Sequence, residues 1–119
     1  MISVTSKQKA TWLRKLIPVN SKGTLFAVTN KGELIVPPGY REFPSLGFRI
    51  DNQGAENDFA VTDESVSCVM MIEGNPEWIN IPMEAIYYAQ GTQQGMFFEV
   101  PEETKPPVFI PEDPPLRAN

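Results

Sequence analysis

The sequence predicts a mainly β fold with one N-terminal α-helix, and three observations carry that reading. Residues 5–17 space their apolar side chains as a helix does and stop at Pro18. From Gly23 onward, short β-branched and aromatic runs alternate with turn residues, about seven strands in all. The chain has 119 residues, enough for one domain, and shows no internal repeat. Short strands at this cadence suggest a small barrel or sandwich, in which closure removes exposed edges.

The helix comes first. Thr5 or Ser6 supplies an N-cap. Ala10, Leu13 and Ile17 recur at i, i+3 and i+7, with Trp12 four residues before Leu16, while Lys9, Arg14 and Lys15 lie mostly off that stripe. A helix of about three turns is marginal alone, so it must pack on the body or on another copy of itself. Thr24–Thr29 reads as a strand, Asn30-Lys31-Gly32 as a turn, and Leu34-Ile35-Val36 as a short buried strand stopped by Pro37-Pro38-Gly39. Leu46–Ile50 alternates, placing Phe48 and Ile50 on one face. Asp51–Asp58 is a polar loop, Phe59 begins a short strand, and Val66–Ile72 is the longest strand candidate. Gly74-Asn75-Pro76 reads as a turn, Met83–Ile86 as one helical turn, and Tyr87–Ala89 and Met96–Val100 as the last strands.

Composition narrows the function classes. An apolar content of 41% is ordinary for a globular domain, and no run approaches the roughly 20 residues of a membrane helix. Lysines and arginines interrupt the N-terminal segment where a signal peptide would be apolar, and the one cysteine, Cys68, suits a reducing, cytoplasmic setting. Cys68 reads as a small buried side chain in a strand rather than a nucleophile. The absence of histidine removes Ser-His-Asp and Cys-His catalysis and the commonest zinc ligand. The carboxylates stand singly, as solvated surface does, so no enzyme, no cofactor and no metal is expected. Residues 1–22 carry five bases and no acid, whereas residues 23–119 carry five bases and fifteen acids. The acidic body disfavours nucleic acid as a partner, and the basic segment reads as the wet face of the helix or a contact for phosphate or an acidic partner.

Beyond Val100 six of nineteen residues are proline, which excludes a central strand and predicts an extended, flexible tail. The fifteen residues from Glu103 to Arg117 reach at most about 45 Å in polyproline geometry. Val108-Phe109-Ile110 is an apolar island within it. It reads either as a segment that docks back on the body or in a neighbour's groove, or as a linear motif.

Several blocks, in order, resemble one family. They are Trp12-Leu13 in the helix, Val36-Pro37-Pro38-Gly39-Tyr40, the strand Leu46–Ile50, Gly74-Asn75-Pro76, Ile81 through Ala89, and Gly95–Glu99. Together, over roughly residues 10–103, they resemble the stringent starvation protein B family, adaptors that deliver tagged polypeptides to the ClpXP protease. The resemblance implies an Sm-like partly open β-barrel (residues 19–101) behind a dimerising helix (1–18), with a proline-rich tail (102–119). It implies a homodimer through Trp12, Leu13 and Leu16. It also implies a groove for tagged substrate peptides along Val69, Met70, Met71 and Ile72, with Phe48, Ile50, Ala55 and Glu56 contributing.

Adjacent strand residues face opposite ways, so only one of Met70 and Met71 should line that groove. The family's tail docks on the ClpX unfoldase through a Pro-x-Leu-Arg core, which Pro114, Pro115, Leu116 and Arg117 match. This chain departs from the pattern in its shorter linker, its shorter helix, Ala118-Asn119 after the docking core, and Met70 where the family has a small residue. Those departures raise a second reading, a decoy or inhibitor that keeps the barrel without delivering cargo and comes from a mobile element. An Sm-like nucleic-acid binder is a third, resting on fold analogy.

Overall fold

In the computed structural model, which describes residues 4–98 and 105–113, helix α1 spans Ser6–Leu16. Thr5 is its N-cap and forms a capping box: its hydroxyl accepts from the Gln8 amide while the Gln8 side chain accepts from the Thr5 amide. Ala10, Leu13, Leu16 and Ile17 are buried in the shared core. The helix therefore packs on its own body. Leu13 and Leu16, two of the three residues assigned to a dimer interface, are used inside the chain, and only Trp12 is left on the surface, 39% exposed. Lys9, placed by its charge on the wet face, is buried instead. Its ammonium donates to the main-chain oxygens of Met83 (3.1 Å) and Ile86 (2.9 Å), satisfying the charge while the stem lies in the core.

The strands are β1 (Lys22–Val28), β2 (Ser45–Asp51), β3 (Ala60–Val61), β4 (Ser65–Ile72), β5 (Asn75–Pro82), β6 (Ile86–Gln90), β7 (Gly95–Phe97) and β8 (Val108–Phe109). Five form one sheet in the order β7-β6-β1-β2-β8, and three form another in the order β3-β4-β5. All pairings are antiparallel except β2 with β8. Among the described residues no ladder joins the two sheets, so the expected barrel is not closed. The expectation of a mainly β chain with one helix matches the structure.

One core serves both sheets and the helix. Strand alternation sends Leu25 and Ala27 of β1, and Leu46, Phe48 and Ile50 of β2, inward. Val66, Cys68, Met70 and Ile72 of β4 meet Ile79 and Ile81 of β5. The segment Leu34–Val36 is no strand; it holds one bridge, Ile35 to Asn80. The β4–β5 turn is Glu73-Gly74, one residue earlier than the sequence suggested. Asn75 and Pro76 already pair with Ile72 and Met71, an edge position where the missing proline amide costs nothing. No helix among the described residues is long and apolar enough to cross a membrane.

Docking of α1 on the body makes a direct prediction. Leu13→Ala should lower unfolding free energy by about 2–5 kcal/mol, against less than about 1 kcal/mol for Trp12→Ala, in urea melts of the two variants. Equal effects would mean that the helix is not held through Leu13.

Candidate functional site: a crevice at the edge of β2

One edge of β2 is paired with β1, and the other is covered by the chain's own residues 108–110. Val108 pairs with Leu46 and Phe109 with Gly47, and the Ile110 amide donates to the Gly47 carbonyl at 3.0 Å. Ile110 is buried at 1% exposure. Of the alternatives open for the apolar island, the one in which it docks back on the body is what the structure contains.

The Phe109 ring lies over Gly47. A Cβ at position 47 would stand 2.8 Å from two ring carbons, so the glycine provides the slot. Arg49 covers the ring from the next outward position of β2, its guanidinium carbon 4.2 Å from the centroid. Phe26, opposite Gly47 on β1, meets the ring edge-on at 5.8 Å. The row continues across the sheet through Tyr88 (4.9 Å from Phe26) and Phe97 (4.5 Å from Tyr88). Every ring in this row occupies one register line of the outer face.

Past Ile110 the segment leaves β2 and ends on the β4–β5 hairpin. The Asp113 amide donates to the Met71 carbonyl at 2.7 Å. Its carboxylate accepts from the amides of Glu73 (2.9 Å) and Gly74 (2.8 Å), one oxygen to each. Both turn residues have positive φ, 52° and 81°, as a two-residue hairpin loop of this hand requires. Successive amides in that conformation converge and form a nest for an anion.

Beside the segment runs an open groove of about 630 Å³. One wall is Pro37, Pro38, Gly39, Tyr40 and Phe43; another is the hairpin end from Ile72 to Glu77; the floor includes Val108, Phe109 and Pro111. Gly39, with φ of 94°, turns the chain into the single 3₁₀ turn Tyr40–Glu42 that shapes the first wall.

The structure separates the residues assigned to the groove. Ile72 lines it. Phe48, Ile50 and Met70 do not: all three are on inward strand positions, at most 2% exposed, and form the core. Met70 is buried in the core and is not among the residues that line this groove. Met71 is the outward partner, 44% exposed, and gives its carbonyl to Asp113. Val69 is half-buried on the same outward side of β4. Ala55 and Glu56 are exposed in the 3₁₀ turn Gly54–Asn57 and are absent from the groove lining. Pro114, Pro115, Leu116 and Arg117 lie outside the described residues. Gly47, Arg49, Glu73 and Asp113 are not assigned to a site by the sequence, and Gly74 is read there only as part of a turn. A lone glycine inside a strand pattern was the available signal for close backbone approach.

Cys68 and Glu112 titrate away from their ordinary values. Burial pushes the Cys68 thiol up to about 12, helped by the charge of Glu112, so the thiol stays protonated and unreactive. Glu112 is itself pushed above the ordinary carboxylate range, first by burial and then by Asp51 and Asp113, with Lys22 opposing. A raised carboxyl pKa in the folded state means stability present below the ordinary carboxylate value and lost as pH climbs through the raised one. Glu112→Gln mimics the protonated form. It should raise the melting temperature by about 1 °C near neutral pH and leave it unchanged in acid, as thermal scans at the two pH values would read. An unchanged or lower neutral value would mean that the charge of Glu112 does not strain the docked segment.

No protein-family model matches this chain, and no curated protein matches it either.

Proposed function

We propose that this chain is a non-enzymatic peptide-binding adaptor that holds extended polypeptide, degradation-tagged chains among them, in the crevice between β2 and the β4–β5 hairpin. The observation that carries this reading is the capture of an extended segment there, through main-chain bonds on β2 and side-chain pockets beside it. Strand addition of this kind takes affinity from the backbone and selectivity from alternate side chains. The same reading treats the two sheets as halves of an Sm-like partly open barrel whose open seam is the crevice.

Delivery to the ClpXP protease extends the proposal and draws on the resemblance of the sequence blocks. Pro114–Arg117 would meet the unfoldase, and exposed Trp12 would be the helix residue left for a second copy. Tethering acts by raising local cargo concentration toward the ~mM range, not by bond chemistry.

Fluorescence anisotropy tests the binding step. A labelled degradation-tag peptide should bind saturably to the full chain below about 100 µM. No saturable binding there would remove cargo recognition. In degradation assays, a lower apparent KM for tagged substrate supports delivery, whereas slower turnover supports the decoy reading.

A further inference from the structure

We propose that the crevice is a sequence-selective site whose ligands carry an aromatic residue, an aliphatic residue directly after it, and a carboxylate three residues further on, and that residues 108–113 are its resident, exchangeable occupant. This rests on the peptide-binding reading and names the ligand class and the competitor of that site.

Three separate features set the pattern. The Gly47 slot, walled by Arg49 and Phe26, takes a flat ring at the Phe109 position. The inward position that follows takes an aliphatic side chain, as Ile110 does at 1% exposure. The convergent amides of Glu73 and Gly74 take a carboxylate, as they do from Asp113. The spacing is that of Phe109 and Asp113, which occupy the slot and the nest in one segment. Neither pocket needs the ligand to be part of the same chain.

The occupant is built to leave. Its residues paired with β2 are only Val108 and Phe109, both half-buried, extended by the single bond from the Ile110 amide to the Gly47 carbonyl. Pro106, Pro107 and Pro111 flank it and lack amide donors, so the pairing cannot lengthen in either direction without losing bonds. Parallel pairing is also slightly weaker per residue than antiparallel. The open groove runs along Val108, Phe109 and Pro111, giving an incoming peptide a place to gather before it displaces them. A resident competitor lowers the apparent affinity of the site by the fraction of time the site is empty, so weakening the resident must strengthen outside ligands.

The experiment uses the full chain and a fluorescein-labelled peptide of the sequence KPPVFIPED, read by anisotropy beside the degradation-tag peptide. The double variant Phe109→Ala/Asp113→Asn should bind the labelled peptide at least about tenfold more tightly than the unaltered chain. Adding Gly47→Val to that variant should abolish the gain, because the slot is filled. Peptides in which the ring or the acid is replaced should bind more weakly than the parent. Equal affinity of the double variant and the unaltered chain overturns the proposal. If the tag peptide still binds in that case, the peptide-binding reading stands without it; if no peptide binds any form, both fall.

Should the double variant fail to fold, the unaltered isotope-labelled chain decides by NMR. Excess unlabelled peptide should move the Ile110 and Asp113 amide signals to free-chain positions, and signals that stay in place overturn the proposal.

Discussion

The edge of β2 that β1 leaves free is the constraint on which this architecture turns. Among the described residues no ladder joins the two sheets, so the edge of β2 away from β1 presents a row of amides and carbonyls that need partners. The chain meets that need with a segment more than fifty residues away in sequence rather than by closing the barrel. Because the segment is short and proline-flanked, the edge is protected without being sealed. A closed barrel would have had no such seam, and an uncovered edge would have invited aggregation. The binding reading follows from this intermediate arrangement.

The hairpin tip shows the same logic on a smaller scale. Glu73 adopts a positive φ, which costs a residue with a Cβ about 1 kcal/mol. The carboxylate of Asp113 offsets that cost by bonding the two amides that the strained turn aims at it. Turn and tail thus hold each other, and the carboxylate of the proposed ligand would meet the turn on the same terms. Glu112 pulls the other way: it is exposed, yet partial loss of water and the like charges of Asp51 and Asp113 disfavour its ionised form. Docking of the tail is a balance of these contacts, which is how an exchangeable element should be held.

Much of this fold was legible in the sequence where periodicity was strong. The helix began at Thr5 and ended before Pro18 as its capping and spacing required. The alternating run Leu46–Ile50 and the long run Val66–Ile72 became β2 and β4, since their patterns match one buried face. Leu34–Val36 failed as a strand because composition cannot say whether a partner edge exists. Lys9 misled because its charge outweighed its position: it stands four residues before Leu13, on the flank of the buried stripe, where the carbonyls of Met83, just past β5, and Ile86, at the start of β6, receive it. The site was harder to read than the fold. Phe48, Ile50 and Met70 were apolar and near the crevice in sequence order, yet strand parity turned them inward. Gly47 acts through backbone shape, for which a lone glycine in a strand pattern was the only local sign, and Glu73 and Asp113 act through a contact forty residues apart, which leaves none. The island Val108-Phe109-Ile110 was visible as an anomaly in a proline-rich tail, but its place beside β2 needed three dimensions.

The most direct test of an edge that accepts a strand from outside is a crystal structure of the full chain with KPPVFIPED carrying 4-bromophenylalanine at its ring position. The account predicts a bromine signal above Gly47 beside Arg49, the peptide's carboxylate on the Glu73 and Gly74 amides, and the chain's own residues 108–113 displaced. A signal anywhere else, with residues 108–113 still seated on β2, would contradict it.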